Sequence, residues 1–205
     1  MNRSHFPLGR GVWHKKDVMA SPRARKARPA LDEKRLEELA LRYVERFATT
    51  RAKLRSYLSR KVRERGWDGA KEPPFERLAG RFAELGYVDD AAYALAKSQS
   101  LTGRGYGKRR VVETLRVAGV DEADDEAARD HADDEAVDAA LHFARRRRIG
   151  PFATSAPRDP KEREKALGAM IRAGHSFALA REIVALTPGS PINLADLKDR
   201  FARDR

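Results

Sequence analysis

Hydrophobic positions recur every three or four residues from Leu31 to Leu186, and no run alternates apolar with polar at period two. That spacing predicts helix after helix. Leu36, Leu39, Ala40, Tyr43, Val44 and Phe47 make a first stripe. Leu54, Tyr57, Leu58 and Val62 make a second, behind Thr50 as N-cap and ending at Gly66. Phe75, Leu78, Phe82 and Leu85 make a third behind Pro73 and Pro74, proline being tolerated in a first helical turn. The expected fold class is all-α.

The stretch LGYVDD, residues 85–90, shows how these helices join: an apolar run stops at a glycine, offers an aromatic residue and then two carboxylates. Similar endings occur at Gly66-Trp67-Asp68, Gly119-Val120-Asp121 and Gly174-His175-Ser176, each behind apolar residues four apart. A glycine at such a position takes the left-handed conformation, and the next residue folds back over the last apolar turn. The following Asp or Ser then caps the next helix, which makes Gly66, Gly86, Asp89, Asp90, Gly119 and Gly174 structural turn positions.

Gly66, Gly119 and Gly174 lie 53 and 55 positions apart, a period that points to three tandem three-helix repeats forming an elongated, curved array. The predicted division is a basic, disordered arm over 1–30, repeats over 31–88, 89–132 and 133–187, and a tail over 188–205. In the third unit, IGPFATSAPRDP carries three prolines and reads as a loop. Asn193 as cap with Leu194, Leu197 and Phe201 gives the tail a weak amphipathic pattern.

Charge changes the picture more than length does. The formal net charge is +12 at a pI near 10.2, so the chain is drawn to polyanions, nucleic acid first. No cysteine is present, which excludes disulfides, thiolate metal sites and cysteine nucleophiles and fits a reducing cytoplasm. No segment approaches the roughly 20 apolar residues of a membrane span, and no secretory signal is expected.

GRGYGKRR, residues 103–110, resembles a phosphate cradle at first sight. The P-loop template fails, because Arg109 stands where Ser or Thr is needed and no strand leads in. What remains is a flexible basic turn, with Tyr106 available to stack and Arg104, Lys108, Arg109 and Arg110 available to phosphate or acidic protein. The competing reading is a loop solubilised by its charges. Arg145, Arg146, Arg147 and Arg148 close the seventh helix, where the dipole favours cations but does not need four. Arg55 and Lys61 belong to a basic stripe with Arg51, Lys53, Arg60, Arg63 and Arg65 on helix two, which reads equally as its wet face.

Ten acids between Asp121 and Asp138 face only Arg129 and have no metal or general-acid spacing; their expected use is to repel DNA or dock a basic surface. His131 and His142 lack ligand-spaced partners, and Tyr93, Leu101, Val112 and Leu115 are expected in the core. With no triad, metal cluster or phosphate loop, a non-enzymatic binding protein without metal or cofactor is expected. The alternative is a helical, sequence-specific DNA-binding transcriptional regulator built on one short-turn helix pair.

LGYVDDAAYALAKSQSLTGRGYGKRRVVETLRVAGVD, residues 85–121, resembles the central signature of the RecX family, bacterial modulators of the RecA recombinase. TTRAKLRSYLSRKVRERGW and KALGAMIRAGHSFALAREIV resemble its first and last units, so the likeness runs from about Leu36 to Leu186. The chain departs from that pattern at Lys53, where an acid would complete a capping box, and at His175, where an apolar or aromatic residue is commoner. The resemblance implies a monomeric cytoplasmic regulator of DNA repair, recombination and the SOS response. It would bind the RecA filament on single-stranded DNA, with phosphate contacts extending to duplex DNA, and mostly inhibit strand exchange and ATP hydrolysis.

Overall fold

A computed structural model describes residues 29–157 and 159–202. Nearly all of the basic arm therefore lies outside the described residues. The rest is helical, as the periodicity predicts: α1 (Glu33–Val44), α2 (Arg51–Arg65), α3 (Phe75–Glu84), α4 (Asp90–Thr102), α5 (Lys108–Ala118), α6 (Glu126–Asp134), α7 (Ala136–Arg147), α8 (Pro160–Arg172), α9 (Phe177–Ala185) and α10 (Leu194–Ala202). A single 3-10 turn, Gly150–Phe152, interrupts the proline-rich loop. Among the described residues the only strand-like pairing is one parallel bridge between Leu31 and Trp67.

Three hydrophobic cores follow one another along the chain. Leu36, Leu54, Leu58, Leu78 and Phe82 fill the first, between α1, α2 and α3. The second, between α4, α5 and α6, is built from Ala94, Leu101, Val111, Leu115, Ala128 and Ala132. Its small residues let α4 and α6 approach closely, and Ser98 donates to the Ala128 carbonyl at 2.7 Å. Val137, Phe143, Met170 and Ile183 fill the third, between α7, α8 and α9, with Leu197 of α10 added from outside. Fully burying one such Leu or Ile contributes roughly 1.5–3 kcal/mol, which exceeds what helix propensity supplies in elements this short.

Two apolar residues of the predicted stripes fall outside this burial. Phe47 lies beyond the end of α1, 55% exposed, with its ring 5.4 Å from Tyr43. Leu85 is the C-cap of α3 and is 58% exposed, because the chain turns there before completing another helical turn. Leu101 and Leu115 are core residues, while Tyr93 packs at the second core's edge and Val112 stays outside it.

The helix ends divide by mechanism. Gly86, Gly119 and Gly174 have φ of 76°, 70° and 97°, and the residue after each donates five residues back, to Phe82, Leu115 and Met170 respectively. Asp89 then caps α4 by accepting from Ala92 N–H at 2.8 Å, and Ser176 caps α9. Gly66 and Asp121 do not complete the device. Gly66 has φ 84° and ψ 164°, which sends the chain outward so that Leu31 N–H reaches its carbonyl at 3.0 Å; α3 starts only at Phe75. Asp121 opens a turn ahead of α6, whose N-cap is Asp125.

Candidate functional site

Two seams, between the first and second cores and between the second and third, gather most of the candidate residues. At the first seam the N-terminus of α2 meets α4 and the end of α5. Thr50 accepts from Lys53 N–H at 3.1 Å and donates to the Ala118 carbonyl at 2.6 Å, so the predicted cap also ties α2 to α5. Gly119 sits beside it, where an added Cβ would meet Ala52 Cβ at 2.4 Å.

Asp90, 5% exposed, turns away from its own helix and accepts from Arg51 N–H at 2.9 Å and from Arg51 Nε at 3.2 Å. The acid that Lys53 does not supply within α2 is thus provided by another helix. Asp124 and Asp121 complete the cluster around the Arg51 guanidinium at 2.5 Å and 3.7 Å. Its pKa is raised above the ordinary arginine value, first by the hydrogen bond to Asp90 and then, against the cost of burial, by the charges of Asp90, Asp124 and Asp121.

At the second seam the basic turn is locked rather than flexible. Gly107 N–H donates to the Ala173 carbonyl at 3.0 Å and Arg109 N–H to the Gly174 carbonyl at 3.1 Å. The amides that a phosphate would need are therefore occupied by protein. A Cβ on Gly107 would meet the Gly174 carbonyl oxygen at 2.4 Å, so the two backbones touch where only glycine fits. His175, 2% exposed, donates from Nε2 to the Gly105 carbonyl at 3.1 Å and leans on Phe143 at 5.6 Å. Burial pushes its pKa down to about 4, only partly opposed by that hydrogen bond.

The candidate cations separate into two groups. Arg55 pairs with Glu76 at 2.6 Å, Lys61 with Glu64 at 2.6 Å, and Lys108 with Asp133, so all three are engaged within the chain. Most of the remaining α2 stripe is engaged too: Lys53 donates to the Tyr93 hydroxyl, Arg60 faces Glu64, and Arg65 bonds the Pro29 carbonyl. Arg104, Arg109, Arg110, Arg145, Arg146, Arg147 and Arg148 make no close ion pair among the described residues, although the Arg110 charge is felt by Glu113, and all seven are exposed.

Arg146 Nη1 donates to the Arg104 carbonyl at 2.9 Å, which joins the basic turn to the end of α7 in one surface. Arg104 lies over the Tyr106 ring at 5.7 Å, and Arg145 over Phe152 at 4.9 Å. Arg148 is the α7 C-cap in the left-handed conformation, φ 55°. Tyr106 is half-buried between the second and third cores, so it anchors the seam instead of standing free to stack.

The acidic stretch, expected to face outward, is largely spent on internal pairs. Besides Asp121 and Asp124 on Arg51, Asp125 pairs with Arg129, Asp133 with Lys108 and Asp138 with Lys198. Sequence spacing discloses only Asp125–Arg129, four residues apart, since Arg51, the partner of Asp124, lies 73 residues away. Among the described residues no group of His, Cys, Asp and Glu is placed to hold a metal ion, and no helix is long and apolar enough to cross a membrane.

No family model matches the chain. It is 33% identical over 187 residues to the regulatory protein RecX of Myxococcus xanthus, an alignment that takes in 87% of this chain and 97% of that protein. The chain belongs to the RecX family. The RecX protein of Agrobacterium fabrum is 32% identical over 143 residues, covering 67% of this chain and 75% of the relative. That of Thermobifida fusca is 32% identical over 151 residues, covering 73% and 77%. All three relatives are named as regulatory proteins.

Proposed function

We propose that the chain is a non-enzymatic modulator of the RecA filament on single-stranded DNA, lowering its ATP hydrolysis and strand exchange in DNA repair and the SOS response. Membership of the RecX family supports a regulatory role. Three successive cores joined at two seams support a tandem array of three-helix units, with the divisions at 31–88, 89–132 and 133–187. Such an array offers several modest contacts along a polymer, and their combined effect exceeds that of any one.

The observation that carries the reading is the group of unpaired arginines beside the second seam, Arg104, Arg109 and Arg110 from the basic turn and Arg145 to Arg148 from the end of α7. In this proposal they contact nucleic-acid phosphate or acidic RecA surface, whereas the charges of Arg55, Lys61 and Lys108 are each met by a carboxylate of the chain itself. A polyanion competes poorly for cations already paired with a carboxylate, and readily for exposed ones whose charge no carboxylate neutralises.

The test is filament length by electron microscopy together with RecA's DNA-dependent ATPase, with and without the protein. Shorter filaments and slower hydrolysis at near-stoichiometric levels are expected. Unchanged filaments in the presence of folded protein refute the reading. Sequence-selective binding to one duplex site without RecA would instead favour a transcriptional regulator.

A further inference from the structure

α10 lies outside the α7–α9 triple and is attached to it by little. Of its described side chains only Leu197 is buried; Phe201 is half-buried and the others are exposed. In α9, by contrast, Leu179, Ala180, Ile183 and Val184 are all buried. Two ion pairs fasten the edges of α10, Lys198 to Asp138 on α7 and Arg200 to Glu182 on α9, and the four side chains are 37–48% exposed. Pairs so exposed to water contribute little and weaken further with salt.

The connection to α9 is held by Gly189 N–H, which donates to the Pro151 carbonyl at 2.9 Å, and by the half-buried Ile192, which packs on the third core. Beyond it Asn193 caps α10 by accepting from Asp196 N–H at 3.2 Å, a bond within the strap itself. A helix of nine residues is too short to be stable in isolation, so α10 is helical only while it is seated. Phe201 borders a cavity of about 470 Å³ at the second seam, lined also by Lys108, Arg109, His175, Ser176 and Leu179.

We propose that α10 is a strap that lifts from the third core while α7, α8 and α9 stay folded, and that its lifting widens the open seam cavity on the side that Phe201 borders. The seat it leaves is an apolar groove between α7 and α9, beside the unpaired Arg109. In the closed state α10 itself fills that groove, with Leu197 and Phe201 four residues apart on one face. The strap belongs to the low-stability end of the molecule, the part from which regulatory segments are drawn.

Hydrogen exchange on the full chain tests this. Amides of Lys198–Ala202 are expected to exchange at least about 100-fold faster than those of Ala140–Ala144, through local opening. Raising salt from about 0.1 to 1 M is expected to speed the α10 amides and leave α9 unchanged. Leu197→Asp is expected to bring α10 to unstructured rates while α7 and α9 keep their protection. Exchange of α10 in step with α9, or loss of α7 and α9 protection in Leu197→Asp, overturns the proposal.

Discussion

Asp90 accepts from both the backbone N–H and the Nε of Arg51, 39 residues earlier in the chain, at 2.9 Å and 3.2 Å. One carboxylate thereby caps α2 and pairs with a guanidinium while standing in the first turn of α4. Its neighbour Asp89 does only the local work of capping α4. Removing a buried partner leaves unsatisfied groups behind, while removing an exposed cap leaves groups that water can reach. Asp90→Ala is therefore expected to destabilise by about 2–3 kcal/mol, reduced from the fully buried case because Arg51 is partly exposed. Asp89→Ala is expected to cost about 1 kcal/mol. Urea denaturation measures both, and equal costs would contradict the assignment.

Two of the helix-ending glycines make a similar contrast. At Gly174, φ is +97° and a Cβ would lie 2.5 Å from Arg110 N, so both conformation and space exclude a side chain. At Gly86, φ is +76° but nothing lies within 4 Å. Gly174→Ala is expected to cost more than about 3 kcal/mol and Gly86→Ala about 1–2 kcal/mol, by combining left-handed strain with overpacking in the first and strain alone in the second. Denaturation midpoints separate the two.

His175 gives the fold a dependence on pH. Its folded pKa, about 4, lies below the ordinary value of 6.5, so the unfolded chain binds more protons between those limits. Stability from this residue is complete above pH 6.5 and falls as pH drops toward 4. The loss across that window is at most about 3 kcal/mol. His175→Asn, which stays neutral, is expected to be less stable at pH 7.5 but to show a flatter slope between pH 6.5 and 4. An unchanged slope would show that His175 is not the titrating group.

The helices were legible in the sequence because each pattern of burial repeats every three or four residues, and glycine marks its end locally. Thr50, Asp89 and Ser176 could be placed as caps for the same reason. What sequence could not give was anything set by distant partners. Asp90 looked like part of a local turn, Lys108 like a free cation and the 121–138 acids like an outward face. Their partners, Arg51, Asp133 and, for Asp121 and Asp124, Arg51 again, come together only when helices pack. Tyr106 was misplaced for the same reason, its ring being held between two cores that have no sequence proximity.

Separating paired from unpaired cations predicts different salt responses. If the protein binds single-stranded DNA through phosphate, replacing Arg104, Arg109, Arg110 and Arg147 by Ala lowers the log–log salt slope by up to about 3, at roughly 0.7 per contact. Arg55→Ala with Lys61→Ala is expected to leave the slope nearly unchanged, because Glu76 and Glu64 already hold those charges. Fluorescence titration at several salt concentrations distinguishes them, and equal changes in slope would remove the basis for the division.

The central claim is tested most directly by RecA's DNA-dependent ATPase, titrated with the native protein and with the Arg104, Arg109, Arg110 and Arg147 alanine variant. The account predicts inhibition by the native protein at near-stoichiometric levels, and at least about tenfold more of the variant for the same effect, with unchanged helicity. Inhibition by the variant equal to that of the native protein, or none by either, contradicts it.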